Sequence, residues 1–192
     1  MPNTSATGGL LSPNVSPAPL QDAALLDFFH DWICSITGLG SDLVRPRWQA
    51  EPPNIPLDGV TWLAFGITKR VADTFAAELH YPAGLGYNEI RRHEELSFLI
   101  SCYGNSADTI LHLFRDGVQV SQNREVLQLN NMGLIETGDI QTVPEMVKEK
   151  WMYRADMTFS IRRQIVRDYQ VQNVLGGPIS INNEHYVTTV NP

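Results

Sequence analysis

Residues able to do chemistry are few in this chain, and their spacing does not favour it. Five histidines stand at positions 30, 80, 93, 112 and 185, with no HExxH pair and no Cys/His ligand pattern, so no metal site is read from them. His93, Glu94 and Glu95 form the densest titratable cluster. A hydrolase or nuclease needs carboxylates converging on a cation, whereas adjacent residues of a strand point to opposite faces, which leaves only His93 and Glu95 together. A cross-strand charge pair with Arg154, Arg162 or Arg163 explains that cluster better than catalysis. Cys34 follows His30 by one helical turn, as a thiol nucleophile would follow its base. No third group is identified to orient the pair, and a buried structural thiol is the preferred reading. Arg162, Arg163 and Arg167 are candidates for phosphate contact, but alternation along a strand splits the patch. GxSxG, GxxxxGK[ST] and GxGxxG are all absent, and the GLG triplets at 38–40 and 84–86 read as turns. No catalytic, cofactor-binding or metal-binding residue is therefore assigned.

The elements that would hold these residues can be traced along the chain. Residues 1–20 contain four Pro, two Gly, seven Ser, Thr or Asn and no charge, the composition of a flexible arm. Asp22 reads as the N-cap of a helix to about Thr37, with Leu25, Phe29, Trp32 and Ile36 on one face, Asp27 and Asp31 on the other, and Gly38 at its end. Pro46 in LVRPRW removes a ladder donor and assigns that segment to a sheet edge or bulge. A proline-stiffened connection, EPPNIPLDG, leads to a strand over 60–71 with a bulge expected at Gly66, and PAGLGY at 82–87 makes a turn. Glu89 to Tyr103 is a long strand, polar at first and half-buried later. A helix follows from about Asn105, with Ala107, Ile110, Leu111, Phe114 and Val118 on one face, then a short helical stretch over 121–127 and the strand and turn GLIETGDI. From Trp151 to Ile165 apolar and polar residues alternate, which predicts a strand with one wet face. About 16 residues at ~3.3 Å each exceed the width of a compact domain, so one end of this strand either projects or coils strongly around the core. After Tyr169, Gly176 and Gly177 form a hinge before two β-favouring runs, ISI and YVTTV, which either add a strand to a neighbour or fray.

Length and composition set the outer bounds. With 192 residues, 43% hydrophobic and 18% charged, the chain can bury one good core. The expected division is an arm over 1–20, a single domain over 21–170 and an extended tail over 171–192. Fourteen Lys and Arg against 21 Asp and Glu give a formal charge of -7, the wrong sign for an autonomous nucleic-acid binder. Two cysteines exclude a disulfide scaffold and a four-cysteine zinc site. No apolar stretch approaches the length of a membrane span and no signal sequence is recognised, so a soluble, unsecreted protein is expected. Eleven of the fourteen cations are Arg, reflecting either protein interfaces, where the planar guanidinium is favoured, or a compositional bias of the source genome.

Four segments resemble a known family in their order and spacing: DLVRPRWQAEPPNIP, WLAFGITKRVADTFA, RRHEELSFLISCYG with LHLFRDGVQVSQNREVLQLNNMGL, and GDIQTVPEMVKEKWMYRADMTFSIRRQI. From about Trp32 to Tyr169 the chain resembles the neck or tail-terminator proteins of tailed bacteriophages and prophages. The resemblance implies an α+β subunit, an antiparallel or mixed β-sheet with a long hairpin flanked by helices. It further implies a homohexameric ring in the virion neck, assembled in the host bacterial cytoplasm, that caps the tail tube and joins it to the head connector. Implied partners are the ring itself, the tube protein, the connector or adaptor protein and, in a contractile tail, the sheath protein. DNA only passes through the lumen, where net negative charge would keep it from sticking, and neither membrane nor cofactor is involved. The family carries no catalytic residues. Matched positions suggested as ring or docking contacts are Arg45, Arg47, Trp48, Trp151, Arg154, Arg162 and Arg163, with a core role as the competing reading for the two tryptophans.

Three other readings are separable by experiment. A head-completion or stopper protein would sit on the connector side of the joint. A metal-dependent nuclease or hydrolase would use His93, Glu95 and a strand carboxylate such as Asp156. A monomeric adaptor would bind peptides by strand addition.

Overall fold

The computed structural model describes residues 3–14, 20–51, 53–57, 59–147, 149–173, 179–183 and 186–190. The fold is α+β. Contacts divide the chain into a larger unit, residues 19–76 and 92–165, and a smaller one, residues 1–18, 77–91 and 166–192.

The larger unit begins with helix α1 (Asp22–Thr37), which buries Leu25, Phe29, Trp32 and Ile33. Gln21, not Asp22, occupies the cap position, and Asp22 opens the helix with φ 50°. Gly38 ends it in the left-handed region, its N–H reaching the Cys34 carbonyl at 2.8 Å, a conformation that costs a residue without Cβ least. Strand β1 (Val44–Pro46) pairs in parallel with β2 (Trp62–Ala72). It is an edge strand, where proline's missing donor is tolerated. β2 runs antiparallel to β4 (Tyr87–Tyr103), which follows β3 (Ala77–Tyr81). The β2–β4 register shifts between Ile67 and Lys69, so the bulge lies at Thr68 and not at Gly66. After helices α2 (Ala107–Gly117) and α3 (Ser121–Gln128) come β5 (Met132–Thr137) and β6 (Gln141–Thr142), both antiparallel to the later β9 (Arg154–Tyr169). The sheet order is β1-β2-β4-β9-β5.

The expected strand from Trp151 is interrupted. β7 (Glu145–Val147) and β8 (Lys150–Met152) pair only with each other, and β9 starts two residues after β8. From there alternation is regular: Ala155, Met157, Phe159, Ile161, Arg163 and Ile165 are buried. Their face meets Leu63 and Phe65 of β2, Leu96, Phe98 and Ile100 of β4, and the apolar stripes of α1 and α2 in one core. Aromatic rings organise it: Phe98 and Phe159 stack at 4.6 Å, Phe29 lies 4.4 Å from Phe98, and Trp32 meets Phe114 edge-on at 5.6 Å. The Trp32 indole N–H donates to the Asn123 carbonyl at 2.9 Å, satisfying its one polar group.

In the smaller unit β3 pairs with the start of β4, and Tyr81 stacks on Tyr87 at 4.9 Å. Asn173 fastens the turn between them, donating to the Pro82 carbonyl at 2.7 Å. The Ser5 and Asn14 N–H groups donate to the carbonyls of Gln170 and Asp168. Near the carboxyl end, β10 (Ile179–Asn183) and β11 (Tyr186–Val190) form an antiparallel pair. The ISI and YVTTV runs thus satisfy each other's ladder across a two-residue connection. The hinge expected at Gly176 and Gly177 lies outside the described residues. No helix of the described residues is long and apolar enough to cross a membrane.

Candidate functional site

The first chemistry to test is the thiol. His30 Nε2 lies 3.7 Å from Cys34 Sγ, and Asp31 Oδ1 accepts from His30 Nδ1 at 2.9 Å, so an orienting carboxylate does exist. The imidazole is nevertheless spent: Nε2 lies 3.0 Å from the Ser41 carbonyl. Acceptors face both nitrogens, an arrangement that favours the charged imidazolium, a form with no lone pair to take a proton from sulfur. Burial works against its charged form, but the Ser41 carbonyl and Asp31 outweigh it and raise its pKa. Burial, reinforced by Asp31, also pushes the Cys34 thiol up, away from the thiolate a nucleophile needs. Cys102 is fully buried, and burial pushes its thiol up to about 12.

The His93 cluster dissolves into separate pairwise contacts. His93 Nδ1 approaches Asp73 at 3.4 Å, and Arg162 reaches the same carboxylate at 3.7 Å. It is Glu94, not Glu95, that meets Arg163, with Nε and Nη2 each 2.7 Å from Oε2. Arg163 occupies an inward position of β9 with 3% exposure, and its Nη1 donates to the Leu20 carbonyl. It was suggested as a ring or docking contact, but its guanidinium is engaged inside the chain by Glu94 and the Leu20 carbonyl. Among the described residues, no three His, Cys, Asp or Glu side chains are placed to hold a metal ion.

Arg45, Arg47, Trp48 and Arg154 converge on the face of the sheet away from the helices. Register places Trp62 opposite Tyr103, Ala64 opposite Ser101 and Gly66 opposite Leu99. Trp62 and Tyr103 stack at 4.3 Å with planes 10° apart. Arg45 lies over the outer face of this pair, 5.5 Å from the Trp62 centroid, and Arg154 lies 5.5 Å from that of Tyr103, distances at which a cation is drawn to a ring. Arg154 makes a bidentate pair with Asp156, 2.8 Å at each contact, and reaches Glu145 at 3.1 Å. The Asp156 carboxylate raises the Arg154 pKa against the opposing effect of burial. Arg47 donates through Nη2 to the buried Ser101 hydroxyl, while its buried Nε has no acceptor.

Trp48 follows in the left-handed region at φ 59°, a rare conformation for a bulky residue. It turns the indole back over Gly66, where an added Cβ would come within 2.6 Å of the ring. Arg45, Trp48, Pro53, Ile55 and Trp62 line a shallow cleft of about 240 Å³. Trp48 is 70% and Trp151 68% exposed, so neither takes the core role.

Arg45, Arg47, Trp48 and Arg154 are therefore brought together, Trp151 stands on the β7–β8 ribbon, and Arg162 belongs to the Asp73 cluster. Sequence reasoning missed Trp62, Ser101 and Tyr103. The signal was the parity of their strands, which places all three opposite Leu63, Ile100 and Cys102. Planar cations on aromatic faces are a combination common at protein contacts.

The fold is that of a small α+β protein whose densest surface cluster combines arginines with large aromatic rings. Residues 23–185 match the family of phage neck terminator proteins, and the chain belongs to that family. No curated protein matches it closely enough to count as a relative.

Proposed function

We infer that the chain, as a member of the phage neck terminator family, has a tail-terminating structural role in the virion neck in contact with other phage proteins. We propose that it acts as a non-enzymatic ring of identical subunits, six by the family resemblance, that caps the completed tail tube and joins it to the head connector. Assembly takes place in the host cytoplasm, the sheath protein is a further partner if the tail is contractile, and DNA passes through the lumen. Mechanism here is geometric: one surface of the ring matches the last layer of tube, another matches the connector, and occupancy of the tube end blocks further addition.

The observation that carries this reading is the cluster of half-buried Arg45 and Trp62 with exposed Trp48 beside the Arg154 network. Large aromatics and arginines left at a surface mark where a partner sits. Particles assembled without this chain should carry tails of irregular, excessive length that fail to join heads. Electron micrographs of such particles showing tails of normal, uniform length would defeat the proposal.

A further inference from the structure

We propose that His80 is the proton-dependent pin of a clasp that holds residues 170–173 to the turn between β3 and β4, fastening the chain after β9 when its imidazole is charged and loosening it when the imidazole is neutral. The clasp lies wholly within the smaller unit. It is a property of the single chain and is independent of the ring reading above.

Residues 170–173 belong to no helix or strand, yet side chains and backbone tie them to the turn. The Gln170 side-chain amide donates to the Gly86 carbonyl at 2.8 Å, and the Asn173 N–H donates to that of Leu85 at 3.2 Å. Asn173 Nδ2 donates to the carbonyls of Pro82 at 2.7 Å and Gly84 at 3.4 Å. The approach is so close that a Cβ on Gly86 would come within 2.5 Å of the Asn173 side chain and 2.9 Å of the Val171 carbonyl.

His80 joins this segment to the hairpin. Its Nε2 lies 2.7 Å from Asn173 Oδ1, and its Nδ1 lies 2.6 Å from Asn88 Oδ1. The far end of each amide fixes which atom faces the ring. Asn173 turns that end to two backbone carbonyls, and Asn88 turns its own to the Glu78 carboxylate. All of these only accept, so the amide nitrogens must lie there and the oxygens must point at His80. An imidazole between two acceptor oxygens satisfies both only with a proton on each nitrogen. A neutral ring would set its lone pair against one of them. Asn88 stands directly opposite His80 in the β3–β4 ladder and is held by its strand. Asn173, outside the ladder, is the partner that gives way.

The charged surroundings agree. Glu78 stands on the same strand as His80, while Glu89 and Arg91, the charged groups that β4 brings to this unit, are paired with each other. Tyr81 and Tyr87 are stacked, residues 170–173 carry no charge, and Arg167 and Asp168 lie at the end of β9. Asn88 and then Asn173 raise the His80 pKa above the ordinary 6.5 against a smaller opposing effect of desolvation, and Glu78 adds to the rise. The hold is therefore fully present below 6.5 and is lost as pH climbs through the folded value.

The test is hydrogen exchange on the full chain, read by mass spectrometry and corrected for the intrinsic rate, at about pH 5.5 and about pH 8 on either side of the imidazole titration. Peptides covering 82–87 and 170–173 should lose protection about threefold or more between the two conditions, while peptides from β2 stay unchanged. An NMR titration should place the His80 midpoint above 6.5 and coincident with that loss. His80 is exposed, so His80→Ala leaves the core intact and should give low protection of both peptides at either pH. Asn173→Ala should bring the His80 titration back toward its ordinary value. Equal protection of the wild type at both pH values overturns the proposal, as does an unchanged pH dependence in His80→Ala or a His80 midpoint at or below 6.5.

Discussion

Arg163 illustrates how a single residue can contradict a pattern and still support it. It sits where the alternation of β9 requires an apolar side chain, and it is tolerated because Glu94, 12% exposed, and the Leu20 carbonyl satisfy the guanidinium. Removing one partner strands the other charge in a site built to exclude water, so Arg163→Met should cost about 3–5 kcal/mol of unfolding free energy. Pairing it with Glu94→Gln should recover much of that loss, which urea titration of the single and double variants would measure. His30 makes a weaker, titratable contribution, linking α1 to the turn at Ser41 while flanked by Asp27 and Asp31. Its folded pKa is raised above 6.5, so the stabilisation is fully present below that pH and fades as pH climbs through the folded value. The difference in urea midpoint between wild type and His30→Ala should accordingly be widest in mild acid and narrow above neutrality. A gap that widened with pH would mean that the imidazole is held neutral.

At the scale of elements, most of the fold was legible because burial writes itself into spacing. Leu25, Phe29 and Trp32 marked the inner stripe of α1, and Ala155 to Ile165 gave the face of β9. What escaped was set by contacts between residues far apart in sequence. The alternation through Trp151 and Tyr153 is continuous with β9, yet β7 and β8 pair off by themselves, since the local pattern is indifferent to which partner completes the ladder. The proposed contact surface was half legible. Arg45, Arg47 and Trp48 were found through the family resemblance, whereas the Trp62–Tyr103 stack arises only when β2 and β4 align. Gly66 was noticed as an irregularity but given the wrong cause: its missing Cβ leaves space for the Trp48 ring. Gly66→Ala should push that indole off the sheet and destabilise the subunit by ~1–3 kcal/mol, as other overpacked sites do. Altered Trp fluorescence together with a lowered melting temperature would support this, and unchanged emission would mean that the ring does not lie there in solution.

For the whole molecule the telling quantity is charge. Seven more acidic than basic groups would be a poor endowment for holding DNA, and several of the cations are already occupied: Arg91 by Glu89, Arg154 by Asp156 and Glu145, Arg163 by Glu94. Binding to a duplex is driven mainly by counterions released when cations neutralise phosphates, so a chain with net repulsion gains little from contact. In the role proposed above, with DNA passing through a ring lumen, weak contact of this kind would let the genome slide past. The free subunit should therefore show no retention of duplex DNA in filter binding even at about 50 mM salt, where phosphate contacts are strong. Binding that weakened steeply with added salt would reveal a phosphate-contacting surface. The arginines would then have to be reassigned from subunit contacts to the DNA path, and the acidity could no longer be explained as keeping that path free of adhesion.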